Sequence, residues 1–464
     1  MDGHLNAELL HRIQFGFNLT FHYIYPPLSI GLSLAIIFFE WIYLKTKSAL
    51  WGQITQFWIR VFALTFALGV ASGIPLVFSF GTNWARYSAF VGDVLGSALA
   101  AEGLFAFTME AGALGIMLFG WNKVSKNVHF LSVIAMSIGA HFSGVWITCV
   151  NSWMQTPAGY AILKRADGTE YAVVTDWWQM VFNPSSMSHL IHVFLGAWLA
   201  GSFLIISVCS YYILKRRHIQ FAVQSLKVAV CMAAISISLQ LVSGDNLAGV
   251  IAKLNPVKFA AFEGVYKTEE SSKAYLFGVV DEENKTVHGI GIPGLLSFFV
   301  HKDFTTPVAG LDQAPEELWP WVPLVFQVYH IMIGMWCLMF IATLITIWLI
   351  KNQSWQSHPL LLKFLILSVI FPQIANMAGW YSTCIGKQPW TVYKLLKTHD
   401  AYSPTVSGGE ALFTLILFVI VYVSLFALFC FLLDHKIKHG PTDLPEESPY
   451  RDPYKHQEEA LSWK

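Results

Sequence analysis

Five ionisable side chains lie within strongly apolar stretches of the sequence. They are His22 in "RIQFGFNLTFHYIYPPL", Glu102 and Glu110 in "ALAAEGLFAFTMEAG", His192 in "SHLIHVFLGAW" and His330 in "VYHIMIGMW". An ionisable group inside a membrane span costs free energy, so such a group indicates a functional site by default. Imidazoles can bind a metal or transfer protons, and carboxylates can carry protons along a helix.

The surrounding sequence has the composition of an integral membrane protein. Its 464 residues are 55% hydrophobic and 12% charged, with a mean hydropathy of +0.52. A helix needs about 20 apolar residues to cross the hydrocarbon core of a bilayer. Runs of that kind lie near residues 14–44, 55–79, 93–121, 127–151, 187–213, 219–243, 320–350, 361–383 and 409–434. We therefore predict an all-α integral membrane protein with nine transmembrane helices. The sixth span is the least regular, because Lys227 lies within it.

Basic residues predict the direction of the spans, because short cytoplasmic loops are enriched in lysine and arginine. One side of the predicted bundle carries Lys45, Lys47, Lys123, Lys126, Lys215, Arg216, Arg217, Lys351, Lys436 and Lys438. The N-terminus is then expected outside. Residues 1–244 would hold spans one to six, 245–319 a long extracytoplasmic loop, and 320–434 spans seven to nine. The polar residues 435–464 would form a cytoplasmic tail, which we expect to be disordered.

Charge and cysteine content indicate no further class of partner. The formal net charge is zero, so nothing points to nucleic acid. The six cysteines are widely spaced and do not have the spacing of a disulfide framework or of a zinc site.

A histidine and a methionine fall at similar predicted depth in two spans. His192 lies near the outer start of span five and Met332 near the outer start of span seven. Imidazole nitrogen and thioether sulfur on the two faces of a haem iron would give a six-coordinate, low-spin electron carrier of raised potential. Each residue also has a plainer interpretation, since a single intramembrane histidine or methionine can be a packing residue. The two glutamates can likewise hold helices together by hydrogen bonds.

Several protonatable groups at similar depth on different spans favour a cofactor or proton site over simple helix packing. We expect the other histidines of the spans, His129, His141 and His189, to be packing residues.

Motifs along nearly the whole chain resemble one known family. They are "RIQFGFNLTFHYIYPPL", "FALGVASG", "FGTNWARYS", "VGDVLGSALAAEGLFAFTMEAG", "FGWNKV", "NSWMQTP", "NPSSMSHLIH", "GDN", "KFAAFE" and "MAGWYSTCIGKQPW". On these motifs the chain resembles the large, haem-bearing subunit (subunit I) of cytochrome bd-type quinol oxidases. The resemblance implies a membrane enzyme that takes electrons from quinol at the outer face. It would reduce oxygen to water at a high-spin haem site, with protons drawn from the cytoplasm.

The resemblance also implies which residues hold the haems. His192 and Met332 match the axial ligands of the low-spin b-type haem. His22 matches the ligand of one of the high-spin haems, for which the family implies one or two of b or d type. The same comparison implies a proton path beside the high-spin site through Glu102, Glu110 and Ser143.

Quinol binding is implied in the long outer loop. Lys258 and Glu263, in "KFAAFE", match the family's quinol-binding residues, which would make 245–319 the quinol loop. We group His330 with them. It stands two residues before Met332, where the family usually has an arginine. Histidine titrates near neutral pH and arginine does not, so the field at the low-spin haem, and hence its potential, is expected to differ.

One position departs from the family at a haem ligand. In "NMAGW" of span eight, Met377 stands where we expect the family's glutamate ligand of the second high-spin haem. Methionine is a soft, neutral donor and would change the potential and spin state of such a haem. The substitution indicates a divergent branch, with altered oxygen chemistry, another electron acceptor or a purely electron-transferring subunit.

The family implies a smaller, haem-free paralogous partner (subunit II) and, in some members, a single-span accessory peptide. The location would be the bacterial cytoplasmic (inner) membrane. The alternative within enzymes is a bd-like quinol dehydrogenase with a different acceptor. We rank a proton-coupled transporter lower, because transporters commonly show internal repeats and sites near the midplane. A haem sensor or assembly scaffold ranks last, since it would have no use for quinol-binding residues.

Overall fold

The computed structural model describes residues 6–121 and 123–441, and long α-helices dominate them. The helices in chain order are α1 (Ala7–His22), α2 (Tyr25–Thr46), α3 (Ala49–Thr82), α4 (Ala85–Ala101), α5 (Thr108–Phe119), α6 (Lys126–Gln155), α7 (Trp177–Val181), α8 (Ser186–Leu214), α9 (Ile219–Leu254), α10 (Pro256–Glu263), α11 (Leu295–His301), α12 (Val322–Asn352), α13 (Pro359–Leu367), α14 (Ile370–Ile385) and α15 (Gly408–His439). The strands are β1 (Tyr160–Lys164), β2 (Glu170–Val174), β3 (Ala274–Asp281), β4 (Thr286–Ile292), β5 (Trp390–Val392) and β6 (Leu396–Lys397). A π-helical turn, Glu102–Phe107, joins α4 to α5, and short 3₁₀ turns occupy Leu311–Gln313, Glu316–Leu318, Trp355–Ser357 and Thr398–Asp400.

Within the described ranges, nine helical segments are long and apolar enough to cross a membrane. They are α1 with α2, α3, α4 with α5, α6, α8, α9, α12, α13 with α14, and α15. This confirms the predicted fold class and the predicted number of spans, including the sixth. The strands form three antiparallel two-stranded hairpins in the connecting segments. The chain is therefore helical where it spans and partly β where it connects.

Several helices extend beyond the apolar runs that predicted them. Helix α9 continues to Leu254, so the first part of the predicted loop 245–319 is helical. Helix α15 continues to His439, which takes in the start of the predicted tail, and 442–464 lie outside the described residues. Helix α1 begins at Ala7, where the Asn6 side chain accepts a hydrogen bond from the Leu9 amide at 3.0 Å. The Asn6 cap, rather than hydropathy, sets the start of α1.

Two spans are interrupted beside predicted site residues. The first breaks directly after His22, where Pro26 and Pro27 occupy the first turn of α2. Proline has no N–H and is therefore favoured in the first turn, where that group lacks an intrahelical partner. The third contains the π-helical turn that begins at Glu102. Turns of this kind insert one extra residue, and they occur frequently at functional sites.

The helices pack around one main core, and one end of the bundle carries the connecting residues 255–321. We call the end that carries residues 255–321 the loop end; helices α1, α4, α8, α12 and α15 begin there. The main core joins α2, α3, α8 and α9 through large buried side chains such as Trp58, Phe203 and Tyr212. Gly31 and Gly201 let α2 and α8 approach closely, because a Cβ on Gly31 would lie 2.7 Å from the Gly201 nitrogen.

Candidate functional site

A cavity of about 1680 Å³ occupies the loop-end half of the bundle. Most of its wall is apolar. The polar or sulfur-bearing side chains that line it include His22, Glu102, Glu110, Ser143, His189, His192, Glu263, Met332 and Lys387. Sites for one small ligand usually enclose about 300–1,000 Å³. This cavity therefore has room for more than one molecule of cofactor size.

Two of the predicted ligands share one hydrogen-bonding arrangement. The Nδ1 atom of His22 lies 3.1 Å from the Ser72 hydroxyl, and Nδ1 of His192 lies 3.0 Å from the Ser243 hydroxyl. Each serine gives its own proton to a backbone carbonyl three residues earlier, Ser72 to Gly69 and Ser243 to Gln240. The serine oxygens must therefore accept from the histidines, so both imidazoles carry their proton on Nδ1.

This tautomer leaves Nε2 of both rings as a lone-pair donor. A metal-bound histidine usually has the same arrangement, with its second ring nitrogen donating to an outer partner. The Gln240 side-chain nitrogen lies 3.1 Å from Nε2 of His192, where it donates to that lone pair. Among the described residues, no group of three or more His, Cys, Asp or Glu side chains could hold a metal ion. Isolated histidines fit a haem iron, because the porphyrin itself supplies four of the ligands.

Met332 reaches the same cavity from α12. Its sulfur packs against Gly379 of α14, and a Cβ at Gly379 would lie 2.9 Å from Sδ. Glycine at this position makes room for the thioether. The structure thus brings His192 and Met332, from two distant parts of the chain, to the wall of one cavity.

The two glutamates of the third span both face α6. The Ser143 hydroxyl donates to Oε1 of Glu102 at 2.6 Å. Glu110 packs against Gly139, one turn before Ser143, where a Cβ would lie 2.6 Å from its Cγ. In a regular helix residues eight apart would point about 80° apart. The π-helical turn adds a residue between them, and the two carboxyl groups therefore line the same cavity wall.

The predicted quinol residues lie on α10, at the loop end. Lys258 is 1% exposed and donates from Nζ to the Gln155 side-chain oxygen at 2.9 Å. Burial lowers the pKa of Lys258 to about 7, and it also lowers the pKa of the neighbouring Lys387. Glu263 lines the cavity, and burial raises the pKa of its carboxyl group. The loop end therefore holds ammonium and carboxyl groups whose charged forms are both disfavoured by burial.

His330 lies away from the cavity. Its Nδ1 is 2.8 Å from the Phe326 carbonyl oxygen, and its Nε2 is 2.9 Å from the carbonyl oxygen of Tyr275 in β3. Its ring stacks on Phe326 with the ring centroids 3.9 Å apart. Both nitrogens face acceptors, so the side chain fastens the β3–β4 hairpin to α12. Of the described residues, His330 is not among those that line the cavity.

Met377 also lies outside the cavity wall. Of the described residues of α14, Asn376, Gly379 and Trp380 line the cavity and Met377 does not. Consecutive residues of a helix point about 100° apart, so the neighbour of a lining residue can face elsewhere. Asn376, which lines the cavity, also contacts α8, because its amide nitrogen lies 3.4 Å from the Gly196 carbonyl oxygen.

Sequence reasoning did not assign a site role to several buried ionisable groups, among them Lys387, His189 and Glu40. Lys387, 4% exposed, lines the cavity and stands in the quoted motif "GKQPW". His189 was expected to be a packing residue, yet it lines the cavity and its Nε2 is buried without a partner. Glu40, in the apolar run "AIIFFEWIYL", is 0% exposed. The rule that singled out Glu102 would have found Glu40.

His141 behaves as predicted for a packing residue. Its Nδ1 donates to the Ser137 carbonyl at 2.7 Å, and its Nε2 accepts from the Trp198 indole at 2.9 Å. Both ring nitrogens are therefore satisfied within the protein.

Comparison with known proteins identifies one family. A family model described as cytochrome bd terminal oxidase subunit I matches residues 10–441. The chain is 35% identical over 450 residues to the cytochrome bd ubiquinol oxidase subunit 1 of Bacillus subtilis (strain 168), covering 94% of each protein. It is 28% identical over 510 residues to the cytochrome bd-II ubiquinol oxidase subunit 1 of Escherichia coli (strain K12), covering 95% of this chain and 98% of that one.

A solved structure has the same fold. The bd oxidase from Geobacillus thermodenitrificans superposes with a TM-score of 0.86 at 26% sequence identity. The match covers 95% of this chain and all of the Geobacillus chain. The similarity therefore includes the helices that form the cavity.

Proposed function

The chain belongs to the cytochrome bd terminal oxidase subunit I family, and on that premise we propose that it is the haem-bearing subunit of a membrane quinol oxidase. The observation that carries the proposal is the pair of cavity-lining histidines whose serine partners fix the proton on Nδ1 and leave a lone pair on Nε2. A transporter would have no use for two imidazoles held in the metal-binding tautomer.

His192 and Met332 would hold a low-spin b-type haem, and His22 a high-spin haem of b or d type. When bound, haem supplies one-electron transfer and, at an open iron position, oxygen binding. The protein contributes the ligands, their fixed tautomers and the apolar wall that keeps water from the site. Ser243 and Ser72 orient the two imidazoles, and Gly379 makes room for the thioether of Met332.

Quinol would bind at the loop end, beside α10. A quinol that is oxidised gives up two electrons and two protons. Glu263, whose raised pKa favours its protonated form, can take a hydroxyl proton and hold it. Lys258 does not line the cavity and its Nζ donates to Gln155, but an ammonium group has two further N–H donors, which we propose for a quinol oxygen. The segment 255–321 would then be the quinol loop, with its hairpin fastened to α12 by His330.

Oxygen reduction consumes protons, which Glu110 and Glu102 would deliver. Both carboxyl groups line the cavity on the α6 side, and Ser143 holds Glu102 through a 2.6 Å hydrogen bond. If the spans run as the basic residues predict, these protons come from the cytoplasm and quinol protons leave outside. Turnover would then move charge across the membrane without a pump.

The position of Met377 supports a second candidate function. Because Met377 does not line the cavity, it is poorly placed to replace a carboxylate ligand of a second high-spin haem. A bd-like quinol dehydrogenase with a different electron acceptor would fit such a loss. In either case we propose a smaller paralogous subunit II as the partner, in some members with a single-span peptide.

Oxygen uptake by the purified complex tests the choice of function. An oxidase consumes oxygen when quinol is supplied and contains b-type haem by the pyridine haemochrome assay. A dehydrogenase contains haem that quinol reduces, but it consumes no oxygen. A preparation without haem would refute both candidates.

A further inference from the structure

A buried carboxylate and imidazole lie in contact at the end of the bundle opposite the loop end. Glu40 of α2 and His129 of α6 are both 0% exposed, and Oε1 of Glu40 lies 2.7 Å from Nδ1 of His129. The Trp121 ring covers the imidazole, with the ring centroids 4.1 Å apart. His129 lies one turn inside α6 from Lys126, the first residue of that helix. The pair is therefore close to the end opposite the loop end, where Lys126 lies, but it is not exposed to solvent.

The hydrogen bonds assign one shared proton to the pair. Nε2 of His129 lies 3.2 Å from the Met117 carbonyl oxygen, an acceptor, so Nε2 must carry a proton. The short contact between Nδ1 and Glu40 then holds one more proton, on either the imidazole or the carboxyl group. In both forms the net charge of the pair is zero. The second carboxylate oxygen, Oε2 of Glu40, is buried without a partner in the described part of the chain.

Polar contacts continue from this pair along α6 towards the cavity. The Ser33 and Ser137 hydroxyls are hydrogen-bonded at 3.0 Å, again between α2 and α6. Ser137 is eight residues beyond His129, roughly 12 Å along the helix. Glu110 packs at Gly139 and Glu102 is bonded to Ser143, each further along α6. Three polar contacts and the packing of Glu110 against Gly139 thus follow one helix from its start to the cavity wall.

A purely structural role explains the pair poorly. Replacing a buried ion pair by apolar side chains is often neutral or stabilising, so such pairs are weak indicators of stability. Helices α2 and α6 are already joined by the Ser33–Ser137 bond. An ionisable pair within a span instead indicates a proton or ion path.

We propose that Glu40 and His129 form the inlet of the proton path that serves Glu110 and Glu102. When the pair receives a proton from the end opposite the loop end, another proton leaves Oε2 of Glu40 towards Ser33 and Ser137. The charge of the pair is then unchanged after each transfer. Water molecules would bridge the gaps between the side chains. This inference rests on the proposed function, because it supplies protons to the same carboxyl groups.

The test is Glu40→Gln in the purified complex. Glutamine keeps a hydrogen bond to His129, because its amide nitrogen can donate to Nδ1 of the neutral imidazole, but it cannot carry the proton. We expect oxygen reduction and proton uptake after an oxygen pulse to slow at least tenfold. Haem content, the reduced spectrum and the anaerobic reduction of haem by quinol should equal those of the unaltered protein. Glu40→Asp, which restores a carboxylate, should recover part of the rate.

Two comparison variants make the result decisive. Asp434→Asn removes an exposed carboxylate at the same end, paired with Lys438 at 2.7 Å, and should change nothing. Glu110→Gln tests the proposed path itself. If oxygen reduction and proton uptake are slow in Glu110→Gln but normal in Glu40→Gln, the inlet proposal is wrong. If both rates are normal in both variants, the proposed path through Glu110 is wrong. If Glu40→Gln does not fold, His129→Gln takes its place, and normal proton uptake in that variant would overturn the proposal.

Discussion

The two ends of the bundle treat their polar side chains in opposite ways. In the described residues, most buried side-chain nitrogen and oxygen atoms without a partner belong to the loop end, as in Gln155, His189 and Asn255. At the opposite end Tyr212 donates to the Ile437 carbonyl at 2.8 Å. A polar group buried without a partner costs free energy. Apart from the Glu40–His129 pair, the difference indicates that the loop end is suited to holding other molecules and the opposite end to packing.

Removing a proton carrier from the loop end should have the largest effect on turnover. We expect Glu102→Gln to slow oxygen reduction by about 10²–10⁴-fold, because positioned acid–base groups commonly contribute that much. Glutamine still accepts from Ser143, so the fold and the haem content should be unchanged. Oxygen electrode rates with a quinol donor measure the effect. A rate within twofold of the unaltered protein would remove Glu102 from the path.

Loss of an orienting hydroxyl should weaken haem binding without removing the ligand. Ser243→Ala and Ser72→Ala should each lower haem affinity by about 10–100-fold, as is typical for outer partners of metal ligands. Ser238→Ala is the matched control, because Ser238 is exposed on the same helix as Ser243 and bonds only its own helix. Haem retained after dialysis against apomyoglobin gives the readout. Equal retention in all three variants would show that these serines do not orient haem ligands.

Lys258 should give quinol oxidation a pH dependence near neutrality. Burial lowers its pKa to about 7, so the ammonium form is present below that pH and is lost above it. We expect the KM for quinol to rise as the pH passes through 7 upwards, and Lys258→Met to abolish that dependence. Lys253→Met, at an exposed position near the end of α9, is the control. An unchanged pH profile in Lys258→Met would exclude a charge role for Lys258.

Away from the Glu40–His129 pair, a substitution at the end opposite the loop end should affect stability alone. Tyr212→Phe removes the hydrogen bond to Ile437 and should lower the free energy of unfolding by about 0.5–1.5 kcal/mol. Thermal unfolding of the purified protein measures this, and oxygen uptake should not change. A loss of activity without loss of stability would contradict the division between the two ends.

The fold was more predictable from the sequence than the direction of its side chains. Nine spans follow from apolar run length, since lipid leaves few alternatives to a helix. The interruptions at Tyr23 and at the π-helical turn lie within continuous apolar sequence, so hydropathy does not reveal them. Pro26 and Pro27 were the one signal for the first break.

The prediction of the site was limited in the same way, because local sequence does not give the direction of each side chain. His22, His192, Met332 and Glu102 line the cavity, and they were found because such residue types rarely occur in spans. His330 was grouped with the quinol-binding residues, and its direction depends on Tyr275, 55 residues earlier in the chain. Contacts of that range, and the rotation of each helix about its axis, are not encoded in local sequence pattern.

The central claim is that the cavity of the loop end holds haem through His192. The most direct measurement is the dithionite-reduced minus oxidised spectrum of purified His192→Ala beside His141→Gln, whose histidine is satisfied within the protein. We predict that the low-spin haem signal is missing from His192→Ala and intact in His141→Gln. An intact low-spin signal in His192→Ala would contradict the account.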